Sequence, residues 1–278
     1  MSLTLAQWFF IFPFGMFLST VGTLAGLGGG VFMVPVLVLV YAVPLKMAIA
    51  AVTFSLVPAS LLSTMFNVRG KNIDYFAAIT LEIPTIFGTL LGAYLTGILP
   101  VKPMEMMFAC FVAFMGYRIL KGKKRAEGEV SLLDKLNRIP PVIERSNGTT
   151  NYHAGVPALG IFGTVSGILA GMFGIGGGII KTPVMLKIFR MPARRATATA
   201  LCMMVFTTST AAVSHWQGGR MDWNLALPLG GAFFCGSFIG NKLAGKAPQA
   251  LIERILGTVL ILAALTLVVH TIFLKETV

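Results

Sequence analysis

A glycine-rich tract occurs twice in this chain, each time inside an apolar run, and it limits what the chain can fold into more than any other feature. The first copy is Gly26-Leu27-Gly28-Gly29-Gly30, with Pro35 five residues on; the second is Gly174-Ile175-Gly176-Gly177-Gly178, with Pro183 at the same distance. The offset of 148 residues holds without a gap from Phe17–Glu105 against Val165–Glu253, and 20 of those 89 pairs are identical, among them Pro44/Pro192, Asp74/Asp222, Gly88/Gly236 and Gly92/Gly240. The chain is an internal duplication. Broken apolar segments at matching places in two halves are the sequence mark of a transporter binding site.

Composition puts the chain in a membrane. It is 56% hydrophobic and 12% charged, with a mean hydropathy of +0.83, where a soluble domain carries about 25% charged residues. Apolar runs at 6–25, 48–66, 75–98 and 103–120, and again at 155–173, 196–214, 223–244 and 251–274, approach the ~20 residues of a spanning helix. Two shorter runs, 31–43 and 179–190, follow the glycine tracts. The N-terminal run lacks the basic region and cleavage site of a signal peptide and reads as the first membrane segment. The expected fold is an all-α polytopic membrane protein of two five-segment halves, each with a Gly-broken helix and one short segment. Residues 1–120 form the first repeat, 121–153 a polar linker and 154–278 the second repeat. Within the linker Ser131 to Asn137 reads as a short surface helix, and Asn147-Gly148-Thr149 as a chance glycosylation pattern.

The net charge of +12 does not point to nucleic acid, because the basic residues sit in short loops between apolar runs, where they set orientation. Arg69, Lys71, the central loop, Arg190, Arg194, Arg195, Lys242 and Lys246 fall on one side; Lys46, Lys102, Arg220 and Lys275 fall on the other. The asymmetry predicts a cytoplasmic linker, both termini outside, and halves of opposite direction, an inverted repeat.

Three consecutive glycines unwind a membrane helix, and lipid cannot satisfy the freed backbone, so the break must be buried in protein or line a wet cavity. The helix that restarts after it presents free N–H groups and a positive dipole end, an anion site. The candidate substrate ligands are Gly28, Gly29, Gly30 and Val31 with Gly176, Gly177, Gly178 and Ile179. Close helix packing is the alternative use of glycine, and it suits the Gly88/Gly92 and Gly236/Gly240 pairs. Lys181, three residues past the second tract, is a candidate attracting charge, and Thr53 and Thr199 are candidate hydroxyls on a polar path. Glu82 inside the fourth run, His215 at the end of the eighth and Arg194 past Pro192 are candidate coupling groups. Asp74 and Asp222 read as helix N-caps. Cys110, Cys202 and Cys235 read as buried free thiols with no motif spacing. No metal cluster, catalytic pairing or cofactor motif is readable, and the glycine tracts lack the Gly-Lys-Ser/Thr ending of a P-loop.

The Gly-x-Gly-Gly-Gly tracts with their prolines, the Pro192-Ala-Arg-Arg-Ala-Thr-Ala stretch, and His215 ahead of Gly219-Arg220-Met221-Asp222-Trp223 resemble the TauE/SafE sulfite exporter family, also called the four-toluene sulfonate uptake permeases. The resemblance covers both halves. It departs at Ala51-Val52-Thr53-Phe54-Ser55, where the family often carries a Gly-Thr-Ser triplet, and at Asn67, which matches His215. It implies a transporter of sulfite, sulfonates or similar sulfur-containing anions; the expected reading is a secondary transporter exporting across the cell membrane by alternating access about a midplane site between the breaks, driven by the anion gradient, the membrane potential or protons. Two other readings stay open: an anion channel of the same architecture, and a membrane-embedded sulfur relay using a cysteine.

Overall fold

The computed structural model describes residues 5–121, 142–146, 151–187, 189, 191–244, 257, 258 and 260–267. The helices are α1 (Leu5–Ala25), α2 (Gly30–Leu39), α3 (Leu45–Arg69), α4 (Tyr75–Ile98), α5 (Val101–Leu120), α6 (Val156–Phe173), α7 (Gly178–Lys187), α8 (Ala193–Gln217) and α9 (Trp223–Leu243). Residues 257, 258 and 260–267 are also helical. Seven of these helices are long and apolar enough to span a membrane, and α2 and α7 are short, at 10 residues each. The expected polytopic helical class holds among the described residues.

The duplication is copied into the helix boundaries. α1 and α6 stop 148 residues apart, α2 and α7 match end to end at that offset, and so do α3 and α8. The starts of α4 and α9 match too, each behind an aspartate N-cap. Asp74 Oδ1 accepts from the N–H of Ala77 at 3.1 Å, and Asp222 Oδ1 from that of Asn224 at 3.0 Å.

The helices pack crosswise between the halves. Without a hydrophobic drive between helices in lipid, close backbone approach and interhelical hydrogen bonds hold the bundle. α4 and α6 run side by side in one direction. A Cβ on Gly163 would lie 2.7 Å from the Leu81 carbonyl oxygen, and Gly167 and Gly171 abut the carbonyls of Thr85 and Thr89 in the same way; Gly88 and Gly92 repay the contact against Thr164 and Ile168. The matching seam joins α1 to α9. There Gly240 abuts the Thr20 carbonyl, and Ser19 Oγ donates to the Phe233 carbonyl at 2.8 Å. Polar bonds tie α3 to α9: Ser237 Oγ donates to the Ala59 carbonyl at 2.8 Å, and Asn241 Nδ2 to Ser63 Oγ at 2.9 Å. Of the long helices, α3 and α8 are the most buried. On α4, Ile79, Ile83, Phe87, Tyr94 and Ile98 face outward, while Leu81, Thr85, Gly88, Thr89 and Gly92 face in. That is a membrane pattern, with large apolar groups turned to lipid and small or hydroxylated ones to the protein.

Two details differ from the sequence reading. Cys110 and Cys235 are exposed on the helix surface, and only Cys202 is buried; thiols are apolar enough to face lipid as well as core. The linker also contains an antiparallel hairpin, β1 (Val142–Ser146) paired with β2 (Asn151–Gly155) in the register Val142↔Gly155 to Ser146↔Asn151. Asn147-Gly148, a strong hairpin signal, lies between its strands in sequence. The expected helix at 131–137 lies outside the described residues, as does most of the tenth segment.

Gly167→Leu would drive a side chain into the Thr85 backbone and is expected to cost about 3 kcal/mol, read as a drop in thermal unfolding temperature in detergent. Gly160→Leu is the control, since a Cβ at Gly160 meets nothing within 4 Å; it should leave the unfolding temperature unchanged or raise it.

Candidate functional site

Each glycine tract is an abrupt halt in a helix. Gly26, Gly28 and Gly29 adopt φ of +72°, +74° and +91°, and their repeat mates Gly174, Gly176 and Gly177 adopt +67°, +69° and +75°. L side chains rarely tolerate that conformation. The N–H groups of Leu27 and Gly28 both turn back onto the Gly22 carbonyl, at 2.7 and 3.0 Å, and Gly174 N–H caps the Ala170 carbonyl at 3.0 Å. New helices then start at Gly30 and Gly178. The N–H groups of Val31 and Ile179 have no acceptor within their own helix, while those of Phe32, Ile180 and Lys181 return to the Gly29 and Gly177 carbonyls.

The two breaks lie against each other in the middle of the bundle. A Cβ on Gly30 would sit 2.8 Å from the Gly174 carbonyl oxygen, and one on Gly178 would sit 2.5 Å from that of Gly26. Each new helix therefore starts beside the end of the old helix in the other half. Thr182 Oγ1 donates to the Gly26 carbonyl at 3.1 Å, and Ser166 Oγ to the Gly177 carbonyl at 3.2 Å. Residues 26–30 and 174–178 are buried throughout. Leu56 and Met204, themselves 148 residues apart, cover the junction, and each touches both Gly28 and Gly176. A crevice beside Gly28 is lined by Thr23, Ser60, Ser63, Leu56, Leu201 and Met204.

Beside the second break lies a buried ion pair. Lys181 Nζ donates to Glu82 Oε2 at 2.5 Å and to Thr207 Oγ1 at 2.7 Å, and Thr207 Oγ1 donates to Glu82 Oε1 at 2.5 Å. Lys181 is 1% exposed and Glu82 5%. The candidate attracting charge and the candidate coupling carboxylate are thus each other's partner, joined across three helices.

The remaining candidates are spread out. Thr53 borders the second break: its hydroxyl donates to the Ile49 carbonyl at 2.6 Å and would lie 2.9 Å from a Cβ on Gly174. Thr199 is away from the breaks, and its hydroxyl accepts the Asp74 N–H at 3.0 Å; Thr197 is the α8 residue that touches Gly26. Arg194 is exposed in the first turn of α8. His215 is fully buried, with Nε2 at 3.0 Å from the Gly171 carbonyl and Nδ1 accepting from Arg220 Nε at 3.2 Å. Those partners fix a neutral imidazole with its proton on Nε2. Arg220 extends the clasp to the Ala93 and Ser214 carbonyls. Leu56 and Met204 escaped the sequence reading because both are ordinary apolar residues; their shared offset of 148 was the available signal. Among the described residues no cluster of His, Cys, Asp or Glu could hold a metal.

Residues 11–267 match the family model described as sulfite exporter TauE/SafE. The chain is 29% identical over 271 residues to the probable membrane transporter protein YunE of Bacillus subtilis, covering 93% of this chain and 96% of that protein. It is 23% identical over 262 residues to a probable membrane transporter protein of Methanocaldococcus jannaschii, covering 87% and 90%. It is 27% identical over 132 residues to sulfite exporter TauE/SafE family protein 3 of Arabidopsis thaliana, covering 45% of this chain and 28% of that protein. No solved structure matches.

Met204→Ala removes the cap from both breaks and is expected to cost about 2–5 kcal/mol. Met204→Leu, which nearly conserves volume, should cost under about 1.5 kcal/mol. Thermal unfolding in detergent reads both.

Proposed function

The chain belongs to the sulfite exporter TauE/SafE family, and from that membership we propose that it is a secondary transporter moving small sulfur-containing anions, sulfite or sulfonates, out of the cell by alternating access. It is a multi-pass membrane protein, read as lying in the cell membrane. The observation that carries the substrate reading is the meeting of the two helix breaks. Each restarted helix offers the equivalent of roughly half a positive charge, so two together offset about one negative charge. The proposed ligands are the backbone N–H groups of Gly29–Val31 and Gly176–Ile179, with Thr53 and Lys181 beside the second break. The Gly28 N–H is already committed to the Gly22 carbonyl and takes no part. The anion would replace the carbonyl contacts that now close the junction, once Leu56 and Met204 move aside.

An inverted repeat accounts for the packing. Helices α1, α3 and α9 run one way. The bonds from Lys46 to the Gly97 carbonyl at 3.1 Å and from Arg220 to that of Ala93 at 3.2 Å join the start of α3 to the ends of α4 and α8. The set α4, α6 and α8 therefore runs the other way, and the repeat pairs α1/α6, α3/α8 and α4/α9 are split between the two sets. We read both termini as external, from the basic residues of the central loop. In a cysteine-free background, Lys123→Cys should resist an impermeant thiol reagent in intact cells and react once the membrane is opened. Labelling in intact cells would reverse the orientation.

Purified protein in liposomes should show saturable flux of sulfite, methanesulfonate or thiosulfate, stimulated by the same anion on the far side. Flux that neither saturates nor shows that stimulation would mark a channel instead. Gly29→Ala and Gly177→Ala place a Cβ at positive φ and are expected to weaken anion affinity at least about tenfold, the equivalent of one lost hydrogen bond to a charged group. Unchanged affinity in folded, membrane-inserted protein would make the tracts packing devices.

A further inference from the structure

The ion pair of Glu82 and Lys181 is the feature that neither the duplication nor stability explains. The repeat mates of Glu82, Lys181 and Thr207 are Gly230, Met33 and Ala59, so the duplicated frame closes without this cluster. Replacing a buried ion pair with apolar groups is often neutral or stabilising, so stability does not demand it. Ionisable groups at this depth in a membrane bundle are costly and tend to mark ion or proton pathways.

Its position gives the role. Lys181 lies in the first turn of α7, and its Cε is 3.4 Å from the place of a Cβ on Gly177. An ammonium at the positive end of a helix is unfavourable by itself. The Glu82 carboxylate offsets both charges, so a resident anion already stands beside the second break. We propose that the Glu82 carboxylate is an internal competitor of the substrate anion for Lys181 and Thr207, released by protonation, so that one proton is taken up for each anion that engages Lys181.

The proposal rests on the reading that the anion sits between the two breaks. The proton goes onto a Glu82 carboxylate oxygen, no covalent bond between other atoms changes, and Lys181 keeps its charge. For a singly charged anion the cluster has zero net charge before binding, as ammonium plus carboxylate, and zero after it, as ammonium, carboxylic acid and anion. The moving core thus crosses the membrane uncharged in either direction. The groups around Glu82 are few. From α7 comes Lys181, and from α8 come the Thr207 hydroxyl and the Cys202 thiol, which is within electrostatic reach of the carboxylate. α6 carries no ionisable residue, Asp74 lies two helical turns back along α4, and His215 is held by Gly171 and Arg220.

Methanesulfonate, singly charged over the whole range, is titrated calorimetrically into the purified full-length chain between about pH 5.5 and 8.5, in buffers of different ionisation heat, to count protons. Wild type should take up one proton per anion, with affinity falling about tenfold per pH unit on the alkaline side. Glu82→Gln should bind at the wild type's acidic-limit affinity at every pH, without proton uptake. Thr207→Val removes the hydroxyl that donates to the carboxylate and leaves no unpaired charge; it should move the fall in affinity to higher pH, and it decides the matter if Glu82→Gln does not fold. Wild-type binding without proton uptake, or a Thr207→Val profile that does not move, would make the pair structural while leaving the two-break site standing. If wild type binds neither methanesulfonate, sulfite nor thiosulfate at any pH, the anion site fails, and this inference fails with it.

Discussion

Four helix ends meet at the centre of this bundle, and the backbone groups they leave open cannot be answered by lipid. The two halves answer for each other. The ends of α1 and α6 present carbonyls at Gly26 and Gly174, and the starts of α7 and α2 arrive at those carbonyls. The approach is so close that a single Cβ on Gly30 or Gly178 would collide with a carbonyl oxygen. The residues that turn the chain there need positive φ, and the residues that follow need no side chain. Glycine satisfies both demands, which is why the tract survives in both copies while most residues around it have diverged.

A junction of this kind must be held from outside, and the outer helices are built for it. The α4–α6 and α1–α9 seams put glycine against backbone at successive turns, so van der Waals contact replaces the hydrophobic drive that lipid cannot supply. Both seams join one half to the other. Hydroxyls at Ser19, Ser63, Ser237 and Thr96 add bonds across the same boundaries, with Thr96 Oγ1 reaching the Met172 carbonyl at 3.2 Å. The two repeats are thus interlocked, and each glycine break is buried by residues of both.

The frame could be read from sequence because its determinants are local. Glycine dihedrals impose the breaks, aspartates cap α4 and α9, and the 148-residue offset carries the ends of α1 and α6, both ends of α2 and α7 and of α3 and α8, and the starts of α4 and α9 from one half to the other. The side-chain chemistry was less accessible, because partners separated by long stretches of chain leave no periodic trace. Nothing in the spacing of Glu82 and Lys181 states that they meet, and each taken alone suggests a different role. Thr199 looked like a lining hydroxyl but supports the Asp74 N–H across 125 residues. His215 looked free to titrate from its place at a helix end, yet its ring is committed on both nitrogens. Leu56 and Met204 carried no chemical signal at all; their importance comes from the glycines beneath them.

Where the repeats differ, the molecule becomes directional. A strictly symmetric duplication would make two equivalent half-sites and two equivalent mouths. Here the charges stand only beside the second break, since Lys181 and Glu82 have Met33 and Gly230 as mates. The two ends of the bundle differ as well. At one end the His215 ring, backed by Arg220, clasps the Gly171 carbonyl across to α6. At the other its mate Asn67 donates to the Ser63 carbonyl of its own helix, and the mate of Gly171 is Thr23, whose buried hydroxyl has no partner among the described residues and lines the crevice beside Gly28. One end is therefore latched by two side chains, His215 and Arg220, that reach carbonyls on α6 and α4, while at the other the Thr23 hydroxyl beside a glycine break is unpaired among the described residues. In the proposed transporter the two ends therefore close unequally, because opening the first breaks the His215–Gly171 bond, which the matching pair of Asn67 and Thr23 does not make.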